Sequence, residues 1–385
     1  HSFAALALIG LAVVMVLSLT IQPALYHYFV TYRTERGNAP VTILSFCVSI
    51  VTFTTFILLG LVLSIIGLML KWTGMMRINL IRYLFHQLVR WSCQVVMWIT
   101  PTGHYTREGM QHINWEKPGI LIANHQTHID LLMLIGLHPK IVVLTNEWVY
   151  NNVVYGGLVR AAGYLPGFVG IDELAERARK QIENGYFILI FPEGTRSQDG
   201  EIKRFHKGAF MLAEQLKVPI YPILLHGLNV GLAKGDQNLK TWSATMRTLP
   251  VIDYNDEQYG TDYSSRGKAI NKMMRREFAV LKEEKEIPAY HFDTLRKNYL
   301  YKGPIVYWYA KIKMINEGLY TALNDLIPRK ADILDLGCGY GMMDYMLAMC
   351  SHERRVTGVD YDEEKIELAA ANFSARRLQV DFLHA

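Results

Sequence analysis

Two stretches of this 385-residue chain set polar and titratable side chains among bulky apolar ones. The first, "ILIANHQTHIDLLML" (residues 120–134), places Asn124, His125, Gln126, Thr127, His128 and Asp130 between aliphatic runs. A polar side chain buried without a partner costs about 1–3 kcal/mol. The cluster must therefore be either fully paired structure or a working site. Asp130, five residues after His125, can accept from one imidazole nitrogen and leave the other free as a base. Its carboxylate would also stabilise the imidazolium formed once a proton is taken. This is equipment for activating a hydroxyl, although a hydrogen-bonded turn would use the same residues. His128 could complete a metal triad with His125 and Asp130. No further ligand lies near in sequence, so no metal is assigned and His128 is read as a side-wall residue.

The second stretch, "FPEGTRSQDGEIKRFHKGA", begins at Phe191. Gly194 permits close backbone approach, Arg196 offers a planar fork for phosphate, and Lys203, Arg204 and Lys207 add positive charge. Glu193, Gly194, Thr195 and Arg196 are expected to form an anion pocket with Lys207, and His206 its rim. An exposed basic loop would account for the Lys and Arg residues but poorly for a buried "FPEG". A third signal is "ADILDLGCGYG" (residues 331–341), followed by a helix from Met342 and the run "RVTGVD" ending on Asp360. Glycines there would admit a nucleotide-like ligand, and an acid about twenty residues on can accept both ribose hydroxyls.

The elements that must carry these residues are legible past Pro101. "GILIAN", "KIVVLT", "YFILIFPEG" and "VPIYPILLHG" are short apolar runs bounded by turn formers, with helical segments such as "DELAERARKQIENG" between them. Alternation of this kind predicts an α/β sheet covered by helices, with sites where strands end. His125 and Glu193 then occupy the same kind of place, each just past a strand.

Taken together, "NHQTHID" and "FPEGTRS", with "VPIYPI" at residues 218–223, resemble the glycerophospholipid acyltransferase family, whose best-known members acylate lysophosphatidic acid. The resemblance runs from about Trp72 to Asn255. It implies that His125 is the general base and Asp130 its orienting partner. Glu193, Gly194 and Arg196 would shape the acceptor and phosphate site, and an acyl thioester on coenzyme A or acyl carrier protein would be the donor, with no cofactor. One departure stands out. Where many members place an Arg after a "FID"-like strand, this chain reads "GFVGIDELAER", and Glu173 there would repel a phosphate. The tail resembles the class I S-adenosylmethionine-dependent methyltransferases, which implies Asp335, Gly337, Gly339 and Gly341 in the glycine-rich block and Asp360 as ribose ligand. Only the first third of that fold is expected here. Residues from about Ile333 onward are therefore expected to be poorly ordered or propped against the acyltransferase domain, with no methyl transfer.

Composition places these modules at a membrane. The apolar residues are unevenly spread: "FAALALIGLAVVMVLSLTIQPAL" from Phe3 is long enough to span a bilayer. It resembles the last membrane helix of RND-type lipid exporters, though a simple anchor would read the same way. A second run from Val41 to Leu70 fits either a tilted span or a re-entrant hairpin bending near Gly60 or Gly67; the hairpin is preferred because it keeps both flanks cytoplasmic. From Arg77 to Ile99, alternating basic and apolar residues with Trp91 and Trp98 predict a helix lying in the interface, although packing against the next domain would need a similar stripe. The net charge of +5 is spread over mixed-sign runs, which excludes a nucleic-acid partner and leaves anionic lipid plausible. Four cysteines without paired spacing exclude a disulfide framework and a Cys-based zinc site.

The predicted organisation is a transmembrane helix over 1–30, a membrane hairpin or span plus interfacial helix over 41–100, an acyltransferase domain over 101–290 and a partial, Rossmann-like methyltransferase segment over 299–385. The expected location is the inner or plasma membrane with the site facing the cytoplasm. A His1 start and an Ala385 stop in mid-fold suggest a piece of a larger multifunctional polypeptide. The rival expectation is a non-catalytic lipid-binding scaffold whose parent's enzyme is the methyltransferase.

Overall fold

The computed structural model describes residues 2–316 and 318–385. The chain divides into two compact units, one Ile43–Lys282 and the other residues up to Thr42 together with Glu283–Ala385. The helices expected to form a separate membrane element thus belong to the same unit as the first sheet.

That sheet has seven strands: β1 Gly103–Glu108, β2 Ile120–Ala123, β3 Ile141–Thr145, β4 Leu165–Pro166, β5 Phe187–Ile190, β6 Ile220–His226 and β7 Trp242–Thr248. Their order is β1-β7-β6-β2-β5-β3-β4. Pairing is parallel except between β6 and β7. Every residue of β2, β5 and β6 is buried, as expected of strands covered on both faces and read as unbroken apolar runs. Ile120 is in register with Ile188 on one side and Ile220 on the other. The carboxyl ends of β2 and β5 are therefore neighbours, which brings together two motifs some seventy residues apart. Helix Tyr263–Lys285 adds Ile270, Met274, Phe278 and Leu281 to this core at helical spacing.

Helix Ile43–Trp72 is continuous over 30 residues, so the preferred hairpin is not formed. Its two glycines serve close packing instead of bending. A Cβ at Gly67 would lie 2.7 Å from Ala161 Cβ and 2.9 Å from the Phe85 ring, and one at Gly60 would touch Val154. The face turned inward is small and polar (Ser49, Thr52, Gly60, Ser64, Gly67) apart from Leu63, while Ile50, Leu58, Ile65 and Trp72 face outward. Ser64 Oγ donates to Val154 O (2.6 Å) and accepts from Leu158 N (3.1 Å). Small residues thus pack inward and large apolar ones face outward. Helix Asn79–Trp98 has two stripes. Phe85, Val89, Cys93 and Val96 are buried, while Leu80, Leu84, Leu88, Trp91, Val95 and Trp98 are exposed. It packs with one stripe, the alternative foreseen for it, and leaves the other outward.

In the second unit β8 Ala331–Leu336, β9 Arg354–Asp360 and β10 Val380–His384 form a parallel sheet ordered β10-β9-β8. The expectation of poor order from Ile333 onward is corrected. Leu295, Tyr299, Ala310 and Tyr320, from helices upstream of the sheet, pack with Met342, Tyr345 and Val356 in one core. On its other face Leu334 and Leu336 of β8 stay exposed. The stretch Phe3–Thr34 is long and apolar enough to cross a membrane and is unburied. It contains a π-helical turn at Leu17–Ile21, just ahead of Pro23, which has no N–H to return to the carbonyl of Leu19.

Candidate active site

The polar cluster after β2 is almost fully paired, and the pairing has a direction. Asn124 staples β2 to β6, donating to Leu225 O (2.9 Å) and accepting from Leu225 N (2.7 Å). Gln126 donates to Gly200 O (2.9 Å) and accepts from Leu228 N (3.2 Å). These are structural contacts that fix the loop on both flanks. Asp130, in the first turn of helix Ile129–Ile135, is wholly buried. Its Oδ2 accepts from Gln126 N (2.6 Å) and Thr127 N (2.9 Å) and lies 2.8 Å from His125 Nδ1, while Thr127 Oγ1 donates to Oδ1 (3.2 Å). A buried carboxylate facing Nδ1 assigns the proton to that nitrogen and leaves Nε2 with its lone pair. His125 lies flat against Phe191, 4.1 Å between centroids, and keeps 15% of its side-chain surface exposed. The ring is held on two sides and open at its edge.

Glu193 differs from its expected role. It is buried, with Oε1 accepting from His125 N (2.9 Å) and Oε2 from Lys203 N (3.0 Å). Burial pushes its carboxyl above the usual range, against the pull of those two N–H donors. Both oxygens face the backbone, so Glu193 ties the His125 loop to the 201–205 loop and does not reach an acceptor. Ser197 N donates to His125 O (2.8 Å), a further tie between the loops. Gly194 is required where it stands: its φ is +69°, and a Cβ would come within 3.2 Å of the His206 ring.

Arg196 is partly exposed and Thr195 exposed on the same loop. The loop after β6 contributes a cation not foreseen from the sequence: Lys234 Nζ lies 3.5 Å from Arg196 O. A signal for it exists in the Gly-flanked "GLAKGDQN" immediately beyond "VPIYPILLHG". His128 also faces this charge. Crowding by the surrounding chain and then the Arg196 guanidinium hold its imidazole down at about 4. Lys207 turns away, its ammonium 5.9 Å from the Tyr263 ring. Glu173 is in the first turn of helix Ile171–Glu183, where Arg177 Nη2 donates to it at 2.5 Å. Its carboxylate is paired within its own helix.

At the second sheet the glycine turn follows β8 as expected. Gly337 and Gly339 have positive φ (+87° and +56°), and a Cβ on either would meet nothing within 4 Å, leaving a cradle into which a nucleoside could settle. Asp360 Oδ2 accepts from Gly339 N (2.8 Å) and Oδ1 from Asp362 N (3.0 Å). Each oxygen keeps a second lone pair, so these residues fit a ribose-bearing ligand. Gly341 does not belong with them, because a Cβ there would strike the Phe382 ring at 2.4 Å; it is a packing glycine. Asp335 is on β8, and its charge helps push up the buried Asp344 carboxyl, whose desolvation is the larger cause.

Comparison with known proteins agrees with both placements. Residues 104–226 match the acyltransferase family model. Residues 333–385 match a methyltransferase domain model. Within the acyltransferase segment lie His125, Asp130, Glu193 and Arg196; Lys234 lies just beyond it. The chain is 28% identical over 153 residues to human 1-acyl-sn-glycerol-3-phosphate acyltransferase alpha, covering 37% of this chain and 53% of that protein. It is 31% identical over 157 residues to 1-acyl-sn-glycerol-3-phosphate acyltransferase of Limnanthes douglasii, covering 39% and 54%. The chain thus spans about half the length of these relatives. The crystal structure of a 1-acyl-sn-glycerophosphate acyltransferase from Thermotoga maritima aligns with a TM-score of 0.46 at 19% identity, covering 58% of this chain and 96% of that one. Neither family match reaches the helix Phe3–Thr34, so its likeness to an exporter helix is unsupported.

Proposed function

We propose that the unit Ile43–Lys282 is a membrane-bound O-acyltransferase that moves an acyl group from a coenzyme A or acyl-carrier-protein thioester to the hydroxyl of a lysophospholipid-like acceptor. The observation that carries this is the 2.8 Å contact between His125 Nδ1 and Asp130 Oδ2, which leaves Nε2 as the base at the open edge of a ring braced by Phe191. His125 Nε2 takes the acceptor's hydroxyl proton while that oxygen attacks the thioester carbonyl. The C–S bond then breaks, the thiolate leaves and collects the proton from the imidazolium, and the ester stays on the acceptor. Arg196 and Lys234 hold the acceptor's anionic group. Asp130 lowers the cost of the transient imidazolium without itself exchanging a proton. The outward apolar faces of helices Ile43–Trp72 and Asn79–Trp98 support membrane residence, with the site on the cytoplasmic side.

The test is acyl transfer by the full chain to a panel of lysolipids. His125→Ala is expected to lose about a hundredfold or more in rate with an unchanged melting temperature. Equal rates would remove the mechanism and leave the scaffold reading, in which lipid binding alone persists. For the second sheet we propose S-adenosylmethionine as the ligand, with its nucleoside over Gly337 and Gly339 and its ribose on Asp360. When bound, it would supply an electrophilic methyl group. Calorimetry with and without Asp360→Ala tests this assignment.

A further inference from the structure

Far from His125, at the opposite ends of the same strands, the first unit has a recess of about 530 Å³. Its walls include Asn79, Leu80, Arg82, Lys140 and Tyr186, from the start of helix Asn79–Trp98, the residue before β3 and the residue before β5. We propose that this recess binds the anionic headgroup of a membrane phospholipid, whose acyl chains continue along the exposed stripe of the same helix.

One of the two cations, Arg82, is braced before any ligand arrives. The Arg82 guanidinium stacks 4.4 Å over the Tyr186 ring and donates to Gln181 Oε1, whose amide in turn donates to Gly163 O (3.0 Å). Arg82 therefore loses little side-chain freedom when an anion binds, and its planar fork suits phosphate. Lys140 lies across Gly185, where φ is +80° and its Nζ would be 3.2 Å from any Cβ. A side chain at 185 would push the ammonium out of the recess. Glu183 is the one acid among the described wall residues; it is exposed, where water screens it, so the balance is one positive charge. His86, whose ring is 4.8 Å from that of Tyr186, adds none, because burial and then Arg82 hold its imidazole down at about 3. The first turn of the helix has no acid and no side-chain cap, so nothing in it competes with an incoming anion.

The apolar side of the argument selects lipid over a soluble phosphate. Leu80 is both a wall of the recess and the first residue of the exposed stripe Leu80, Leu84, Leu88, Trp91, Val95, Trp98. That stripe runs roughly 27 Å at 1.5 Å per residue, the scale of an acyl chain and more. Tyr83 at the rim and the exposed Ile78 and Trp72 flank it, a mixture of aromatic and aliphatic surface suited to the headgroup boundary. Headgroup and chain thus have adjoining places on one helix. The inference is independent of the chemistry at His125.

The experiment uses the full chain in nonionic detergent, titrated with phosphatidylglycerol, phosphatidylcholine and inorganic phosphate. The expected result is saturable binding of phosphatidylglycerol only. Lys140→Gln, which leaves the Arg82 contacts intact, should weaken it about fivefold, and Arg82→Gln with Lys140→Gln about twenty-fivefold. Lys140→Arg should restore most of the affinity, a result that misfolding would not give. His125→Ala and Arg196→Ala should bind phosphatidylglycerol as the parent does. Equal binding of inorganic phosphate would overturn the lipid assignment. Binding that survives the double variant but falls with Arg196→Ala would place the anion at the acyl-transfer site and overturn the proposal while leaving the proposed function standing.

Discussion

The chain holds two polar sites built alike, each in the loop beyond a parallel strand and each with a buried carboxylate, yet their carboxylates face different things. Asp130 faces an imidazole, whose far nitrogen then points outward as a base. Asp360 faces backbone N–H groups of its own glycine turn and of Asp362. The surroundings differ as well. β2 has hydrogen-bonded neighbours on both sides, β5 and β6, and its loop is stapled to β6 by Asn124 and to the 193 loop by Glu193. β8 has β9 on one side, at the end of its sheet, with Leu334 and Leu336 exposed. The lesson is that a motif becomes a reactive site through the elements beside it. Both carboxylates satisfy backbone N–H groups; Asp130 supports acid–base chemistry because it also meets an imidazole, whereas Asp360, whose protein partners are backbone N–H groups, can shape a binding cradle.

The sharpest way to break this contrast is Asp130→Asn. The amide has one acceptor oxygen where the carboxylate serves the His125 ring, two backbone N–H groups and Thr127 Oγ1. It also turns its NH₂ toward a donor. The acyl-transfer rate should fall by about a hundredfold to ten-thousandfold, and stability by about 1–3 kcal/mol. Rate assays beside thermal melts decide it: a neutral Asp130→Asn would make the pair a structural turn and erase the difference between the two sites.

At the second site the corresponding probe is pH. Burial, then the neighbouring Asp335, raise the Asp344 carboxyl in the folded state. A group raised on folding contributes stability that is fully present below its unfolded value, near 3.9, and is lost as pH rises through the folded one. The second unit should therefore lose about 1.4 kcal/mol of stability or more between mildly acidic and neutral pH. Thermal melts across that range would show it as a falling midpoint. Asp344→Asn should flatten that slope and stabilise the unit above neutrality. A flat profile in the parent would show that the Asp344 carboxyl is not raised on folding. At the first site Arg196→Ala should raise the acceptor KM about tenfold, with only partial recovery in Arg196→Lys, because a point charge replaces a fork. An unchanged KM would hand the anion to Lys234.

What can be read from the sequence, and what cannot, follows the same physics. β2, β3, β5 and β6 are visible because a strand covered on both faces has to be an apolar run. β1 and β7 are not: "GHYTRE" and "TWSATMRT" carry polar residues because they lie toward the edge of the sheet, and their pairing is a tertiary matter. His125 and Asp130 are legible because their contact is local, from the loop after β2 to the first turn of the next helix. The role of Glu193 is not, since its partners are His125 N on the loop after β2 and Lys203 N ten residues along its own loop, and an acid beside an Arg looks like a ligand until the backbone is placed. Lys234 is hidden for the same reason. Gly60 and Gly67 read as bends because a glycine in an apolar helix permits either bending or close approach, and only the presence of Ala161 and Phe85 decides which.

The smallest expected effect tests the contrast at its finest grain, through two glycines. Gly194 and Gly339 each have φ in the left-handed region, +69° and +56°, so Ala at either position is strained by roughly 1 kcal/mol or somewhat more. The space around them differs. Ala at 194 would also press on the His206 ring at 3.2 Å, within the loop that holds His125, whereas Ala at 339 would project into open space. Gly194→Ala should therefore destabilise its unit more than Gly339→Ala destabilises the other, and should cost acyl transfer a few-fold through displacement of the Glu193 tie. Gly339→Ala should leave acyl transfer unchanged and weaken S-adenosylmethionine, because the new methyl group occupies the volume assigned to the nucleoside. If Gly339→Ala binds S-adenosylmethionine as the parent does, the cradle lies elsewhere. If the two substitutions prove equally costly to stability, the loop around His125 is no more tightly built than the glycine turn.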